Sequence, residues 1–310
     1  MASLLRGFFL VGNDMQNRKD VFLNRLKEKI IIYDGAMGTN LETLGLDPEH
    51  YGSPKLLGCN DHLNISSPQS VKKVHQSFIE IGVDVIETNT FRSNRYTLKE
   101  FGIDQKTEDI NIAGARIARE AIDKFPSHNR KIFVAGSMGP TGNLLTIQDG
   151  HALKQSVNFD HIRDAYQQQA AALIQGGVDI LLIETAQDIL EVKAAILGIH
   201  DAFQTTGITL PIQAQVTLDP NGKMLAGTDI NAVIAILSAM PIDILGLNCS
   251  TGPALMNRRS RFLVKFLLSQ FHACQTRACP KTSMEKQNIP YPLRIFPRPW
   301  LHLSSRKKSQ

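Results

Sequence analysis

Short runs of consecutive apolar residues alternate along this chain with longer stretches in which apolar positions recur every three or four residues. Ile30-Ile31-Ile32-Tyr33 is the first run, and it stops at Asp34-Gly35-Ala36-Met37-Gly38-Thr39, where two glycines permit tight turns. After a long polar connection, Ser67-Pro68 reads as the N-cap and first position of a helix. Val71, Val74, Phe78 and Ile81 lie on its buried face, and Gly82 ends it. A second strand runs from Val83 to Phe91. A helix over 109–125 turns Ile110, Ala113, Ile117 and Ala121 inward. Lys131 to Ala135 forms a third strand that enters the glycine-rich Gly136-Ser137-Met138-Gly139-Pro140-Thr141-Gly142. Helices over 160–175, 188–200 and 229–239 alternate with strands over 178–185, 211–218 and from Asp243 to the tip at Asn248-Cys249.

One pattern repeats. A helix, a small terminator, an aspartate among β-branched residues, an apolar run and a polar tip recur around Asp84, Asp179 and Asp243; five residues after each aspartate stand Asn89, Glu184 and Asn248. Continuous apolar strands separated by helices predict a parallel sheet covered on both faces. Strict alternation predicts a (β/α)8 TIM-barrel type of α/β fold, incomplete here with about six strands readable. An open doubly wound sheet is the alternative, but no Gly-x-Gly-x-x-Gly follows the first strand. In a barrel the polar tips Asp34, Asn89, Ser137, Glu184 and Cys249 gather on one rim, where such enzymes keep their chemistry. The three repeated aspartates, at strand starts, fall on the opposite face and read as capping or turn residues. Glu87 stays open between a site role and a place in the layer below.

Composition narrows the class. The chain has 310 residues, 43% hydrophobic and 20% charged, with no apolar run near the length of a membrane span. Cysteines at 59, 249, 274 and 279 make no disulfide framework and fit a reducing, cytoplasmic setting. The net charge of +5 is uneven, because residues 256–310 hold 12 of the 34 basic residues and one acid, Glu285. That segment has five prolines and no glycine, so the chain divides into an N-terminal extension (1–27), a partial domain (28–256) and a basic, proline-containing tail (257–310). Within the extension, residues 4–11 are too short and interrupted an apolar stretch for a signal peptide and read as loose. Residues 261–271 carry apolar residues at helical spacing.

Five stretches together resemble one family: Asp34-Gly35-Ala36-Met37-Gly38-Thr39, Glu87-Thr88-Asn89-Thr90-Phe91, Gly136 to Gly142, Glu184-Thr185 with Asp188 and Glu191, and Gly246-Leu247-Asn248-Cys249. They resemble the homocysteine S-methyltransferase family, and within it the N-terminal homocysteine-binding domain of cobalamin-dependent methionine synthase. The resemblance implies a closed (β/α)8 barrel in which three cysteine thiolates hold Zn2+, one after the sixth strand and an adjacent pair after the eighth. Cys249 matches the first of these. Coordination to zinc deprotonates a thiol whose free pKa is near 8.5, making homocysteine a nucleophile for methyl transfer in methionine biosynthesis. The implied donor is methylcobalamin on a separate domain; cobalamin- and folate-binding domains are absent from this chain. Asp34 and Glu184 resemble the carboxylates that take the homocysteine amino group, and Gly35, Asn89, Ser137 and Asn248 complete the expected substrate site, with amides near Gly35 and Ser137 meeting its carboxylate.

The chain departs from the family after Met256. No adjacent cysteine pair exists, and Cys274 and Cys279 have four residues between them. The tail therefore reads as a truncated or frame-shifted end, as a variant that closes with a partner chain, or as a basic appendage. Nucleic acid is the weakest of its partners, since no aromatic residues interleave the charge. The second functional expectation is a non-catalytic fragment that at most binds homocysteine, metal-poor and marginally folded.

Overall fold

A computed structural model describes residues 19–125, 130–147, 157–249 and 252, and the backbone of 270–271. Its centre is a parallel sheet in sequence order, β1 (Val85–Glu87), β2 (Phe133–Met138), β3 (Ile180–Ala186), β4 (Ile212–Val216), β5 (Ile244–Leu247) and β6 (Gln270–Phe271). The first apolar run joins this sheet as a single bridge, Tyr33 to Val85, so it is shorter than the sequence suggests. Nine helices are described. They are α1 (19–28), α2 (Met37–Glu42), α3 (Leu63–Ser66), α4 (Pro68–Ile81), α5 (Arg95–Lys99), α6 (Thr107–Asp123), α7 (Phe159–Gly176), α8 (Ile189–Thr206) and α9 (Ile230–Ser238). This is an α/β fold with the helix-strand alternation that the periodicity predicts.

The sheet curls. Tyr33 lies four strand positions from β4, a distance of about 19 Å in a flat sheet, yet its hydroxyl donates to Gln213 Oε1 at 2.6 Å. One face of the sheet therefore encloses an interior, where Ile31, Tyr33, Val85, Phe133, Ala135, Ile180, Leu182 and Ile244 pack together. The alternate residues, among them Ile86, Val134, Leu181, Ile183, Ile212, Ala214 and Val216, face the helices in a second, larger cluster. Period-two alternation thus separates an inside from an outside although every strand is apolar throughout.

The repeated aspartates act as clamps at the strand starts. Asp84 Oδ2 accepts from Ile32 N at 3.1 Å and its Oδ1 from Lys29 Nζ at 2.5 Å. Asp179 Oδ2 accepts from Val134 N at 2.9 Å and pairs with Arg119. Asp243 Oδ2 accepts from Ile212 N at 2.9 Å and its Oδ1 from Lys19 Nζ at 2.8 Å. Each carboxylate ties its strand to the amide of the strand before it and neutralises its own charge with one cation, a structural role as expected.

The residues read as loose, 4–11, lie outside the described residues; in the described part of the extension residues 19–28 are helical, and Phe22 and Leu26 are buried in the sheet interior, with Phe22 edge-on to Phe133 at 5.0 Å. Two expectations need correction. In α4, Ile79 rather than Ile81 is buried, and Ile81 is 79% exposed, because at 100° per residue Val71, Val74, His75 and Ile79 share one arc and Ile81 falls beyond its edge. Of the helix expected over 261–271, only 270–271 are described, and they form strand β6 beside β5. A helical period in a short apolar run does not exclude a strand when a sheet edge offers its amides.

Candidate functional site

Three carboxyls converge at the C-terminal ends of the inner strands. Asp34 leaves the first run and is 7% exposed, and both of its oxygens accept from Glu87 N at 3.1 Å. Glu184 lies on the interior face of β3, in step with Ile180 and Leu182. Its Oε1 accepts from Ser137 Oγ at 2.5 Å, and its Oε2 from Asn248 Nδ2 at 3.3 Å. Glu87 follows Val85 on the same face of β1; its Oε1 is shielded from solvent and has no hydrogen-bond partner among the described residues.

Their electrostatics follow from that placement. Burial pushes Glu184 up to about 7 against the opposing hydrogen bond from Ser137. Burial also raises Asp34 well above the usual range; the Glu87 amide works against it, and the charge of Glu184 adds to it. Glu87 is raised well above its ordinary value by burial first, then by the charges of Glu184, Asp34 and Cys249. Among the described residues no cation contributes to any of the three. Such a cluster favours a ligand that brings its own positive charge.

The rim beside it is strained. Thr185 has φ 59° and Cys249 φ 50°, both left-handed and neither a glycine. Asn248 holds this corner: its Oδ1 accepts from Thr185 N at 2.9 Å, and its Nδ2 donates to Thr185 Oγ1 at 3.0 Å. Cys249 follows directly and is exposed at the rim. The loop after β2 is anchored from behind, since Glu191 Oε1 accepts from Thr141 N at 2.7 Å and from Thr141 Oγ1 at 2.6 Å. Asp188 caps α8 through Leu190 N at 2.8 Å and binds Thr146 N at 2.7 Å.

Of the residues expected at the site, Asp34, Ser137, Glu184, Asn248 and Cys249 meet on this rim, with Gly35 in the turn beside Asp34. The Asn89 Nδ2 donates to Asn60 O at 2.7 Å and Asn64 Oδ1 at 3.2 Å, tying the strand tip to the segment before α4. The Ser137 amide is also engaged, donating to Thr88 Oγ1 at 3.0 Å. Glu87, left undecided by the sequence, belongs to the cluster, and its parity with Val85 is the signal that places it there.

A zinc site takes about three protein ligands. Among the described residues no three His, Cys, Asp or Glu side chains are grouped to hold a metal ion. Cys249 offers one thiol. Cys59 is buried, with its thiol pushed up to about 11 by burial and by Asp61. Cys274 and Cys279 lie outside the described residues. The described side chains alone do not fit zinc, so the chemistry assigned to this pocket rests on its carboxyls and amides.

Comparison with known proteins gives a consistent picture. The homocysteine S-methyltransferase family matches residues 31–297, continuing beyond the point where the quoted motifs stop. Methionine synthase of Mycobacterium tuberculosis is 38% identical over 241 residues, 78% of this chain and 20% of that protein. Methionine synthase of Mycobacterium leprae is 37% identical over 243 residues, 78% of this chain and 19% of that protein. The chain thus spans about a fifth of the length of these relatives. The metallated form of the homocysteine methyltransferase MmuM from Escherichia coli superposes with a TM-score of 0.65 at 20% identity, covering 80% of this chain and 83% of that one. That likeness extends to the fold.

Proposed function

This chain belongs to the homocysteine S-methyltransferase family, and from that premise we propose that its rim pocket binds homocysteine by the amino group and presents the sulfur beside Cys249 for methylation. The observation that carries the reading is the convergence of Asp34, Glu87 and Glu184 with no cation among them. An ammonium supplies that cation and up to three hydrogen-bond donors, which match carboxylate acceptors on two strand tips. Ser137 and Asn248 act as positioning residues that aim Glu184 at the ligand. Gly35, in the turn after the first run, leaves its amide for the ligand carboxylate, whereas the Ser137 amide is already engaged. Asn89 holds the wall behind the pocket.

On this reading the curled sheet closes as a (β/α)8 barrel, and the chain serves as the substrate domain of a methionine synthase in the cytoplasm. Among the described residues no helix is long and apolar enough to cross a membrane. Methylcobalamin held by a separate domain would be the methyl donor. Zinc enters the proposal through Cys249 alone, with its further ligands outside the described residues. A second reading, binding of homocysteine without turnover, rests on the sequence, which has no adjacent cysteine pair.

Titration calorimetry with homocysteine tests the binding, and methionine formation from methylcobalamin and homocysteine tests the turnover. Binding with methionine formation establishes the enzyme. Binding without it establishes the fragment. Heat from neither homocysteine nor methionine would sink both readings.

A further inference from the structure

β4 carries two glutamines in an otherwise apolar run, and the sheet turns both inward. Ile212, Ala214 and Val216 pack against the helices, so Gln213 and Gln215 share the interior face. The Tyr33 hydroxyl confirms this for Gln213 by reaching its Oε1 across the interior. Gln215 lies one step nearer the C-terminal rim. It is fully buried, and among the described residues neither its Nε2 nor its Oε1 has a hydrogen-bond partner.

Its neighbours define what it faces. Ile183 pairs with Ala214 and Ala186 with Val216, so two residues of β3, Glu184 and Thr185, stand against Gln215 alone. Bulges of this kind re-aim side chains at the mouths of curled sheets. On its other side Gln215 pairs with Gly246, which projects no side chain into the interior, and two and three residues after Gly246, just past the end of β5, come Asn248 and Cys249. Gln215 is therefore set between the carboxyl that opens the amino end of the pocket and the cysteine that marks its sulfur end. A buried carboxamide with both ends unsatisfied is costly to the fold and rare in native interiors, which points to a ligand as its partner.

We propose that Gln215 is a specificity-determining residue of this pocket, hydrogen-bonding through its carboxamide to the side-chain heteroatom of a bound γ-substituted α-amino acid. The inference rests on the amino-acid reading of the site and adds the group that distinguishes a ligand with a thiol or hydroxyl at that position from one without. Nε2 donates to a lone pair of the sulfur, as thiol or thiolate, or of the hydroxyl oxygen, and Oε1 accepts a hydrogen from that group where it carries one. A pocket built to satisfy a buried polar group discriminates against the analogue that leaves it unpaired.

The test uses the full chain and three ligands of similar size, homocysteine, homoserine and norvaline, titrated into wild type and Gln215→Leu. Leucine matches the shape without polar atoms. The expected result is about a tenfold loss of homocysteine and homoserine affinity in the variant, with norvaline affinity unchanged or improved. The melting temperature of the ligand-free variant should be equal to or above that of wild type, because an unsatisfied amide has been removed. Equal losses for all three ligands, or none, overturn this inference while leaving the functional reading intact. Failure of wild type to bind any of the three overturns both. A variant that melts well below wild type shows that Gln215 serves the fold instead.

Discussion

Glu184 concentrates the electrostatic character of the site, since burial alone carries it from 4.5 to about 7. A carboxyl whose folded value is raised keeps its proton longer in the folded chain than in the unfolded one. It therefore favours the fold fully below about pH 4.5 and loses that contribution as pH rises through 7, on the order of 3 kcal/mol once ionised. Asp34 and Glu87 are raised for the same cause, so they act in the same direction. We expect urea unfolding of the ligand-free protein to show lower stability at pH 8 than at pH 5, with Glu184→Gln flattening that difference and weakening homocysteine binding at least tenfold. A wild-type protein that gains stability over this window would show that the cluster is solvated or paired in solution. The same residues explain what reading the chain could and could not find. Asp34, Ser137, Glu184, Asn248 and Cys249 stand out because each is a polar residue ending an apolar run. Asn89 ends a run in the same way, yet its carboxamide faces Asn60 and Asn64, and nothing in a one-dimensional pattern distinguishes the two outcomes.

At the scale of elements, α1 shows how a short helix outside the repeat becomes part of the core. Phe22 and Leu26 are spaced four apart and enter the interior from the strand-start side, while Lys19 reaches Asp243 at 2.8 Å. Phe22→Ala should cost about 3 kcal/mol or more, read as a shift in the urea midpoint at unchanged slope. Homocysteine affinity should be unaffected, because the pocket lies at the other ends of the strands. An unchanged midpoint would show that the helix is dispensable. Close approach of α7 and α8 rests on Gly198, where a Cβ would lie 2.3 Å from the Arg163 carbonyl oxygen. The three clamping aspartates could be read as structural from their place at strand starts, but their partners could not, since Lys19, Lys29 and Arg119 come from three different helix-to-strand connections or helices.

For the molecule as a whole, the open matter is metal. One exposed thiolate does not chelate, and zinc sites of this kind take about three protein ligands. The expected outcome is less than one zinc per chain by elemental analysis after purification without chelator; stoichiometric zinc would show that residues outside the described ones complete the site. The sequence by itself determined the alternation of helices and parallel strands, the inward polar tips and the family, because hydrophobic period, strand-end polarity and short motifs are local properties. Only the tertiary structure decided that the sheet curls far enough for Tyr33 to reach Gln213, that α1 fills its base, and that Glu87 and Gln215 lie on the interior face of the sheet. Each of these depends on which strands become neighbours and on where a bulge shifts their register, and both are set by packing across the sheet rather than by any one segment.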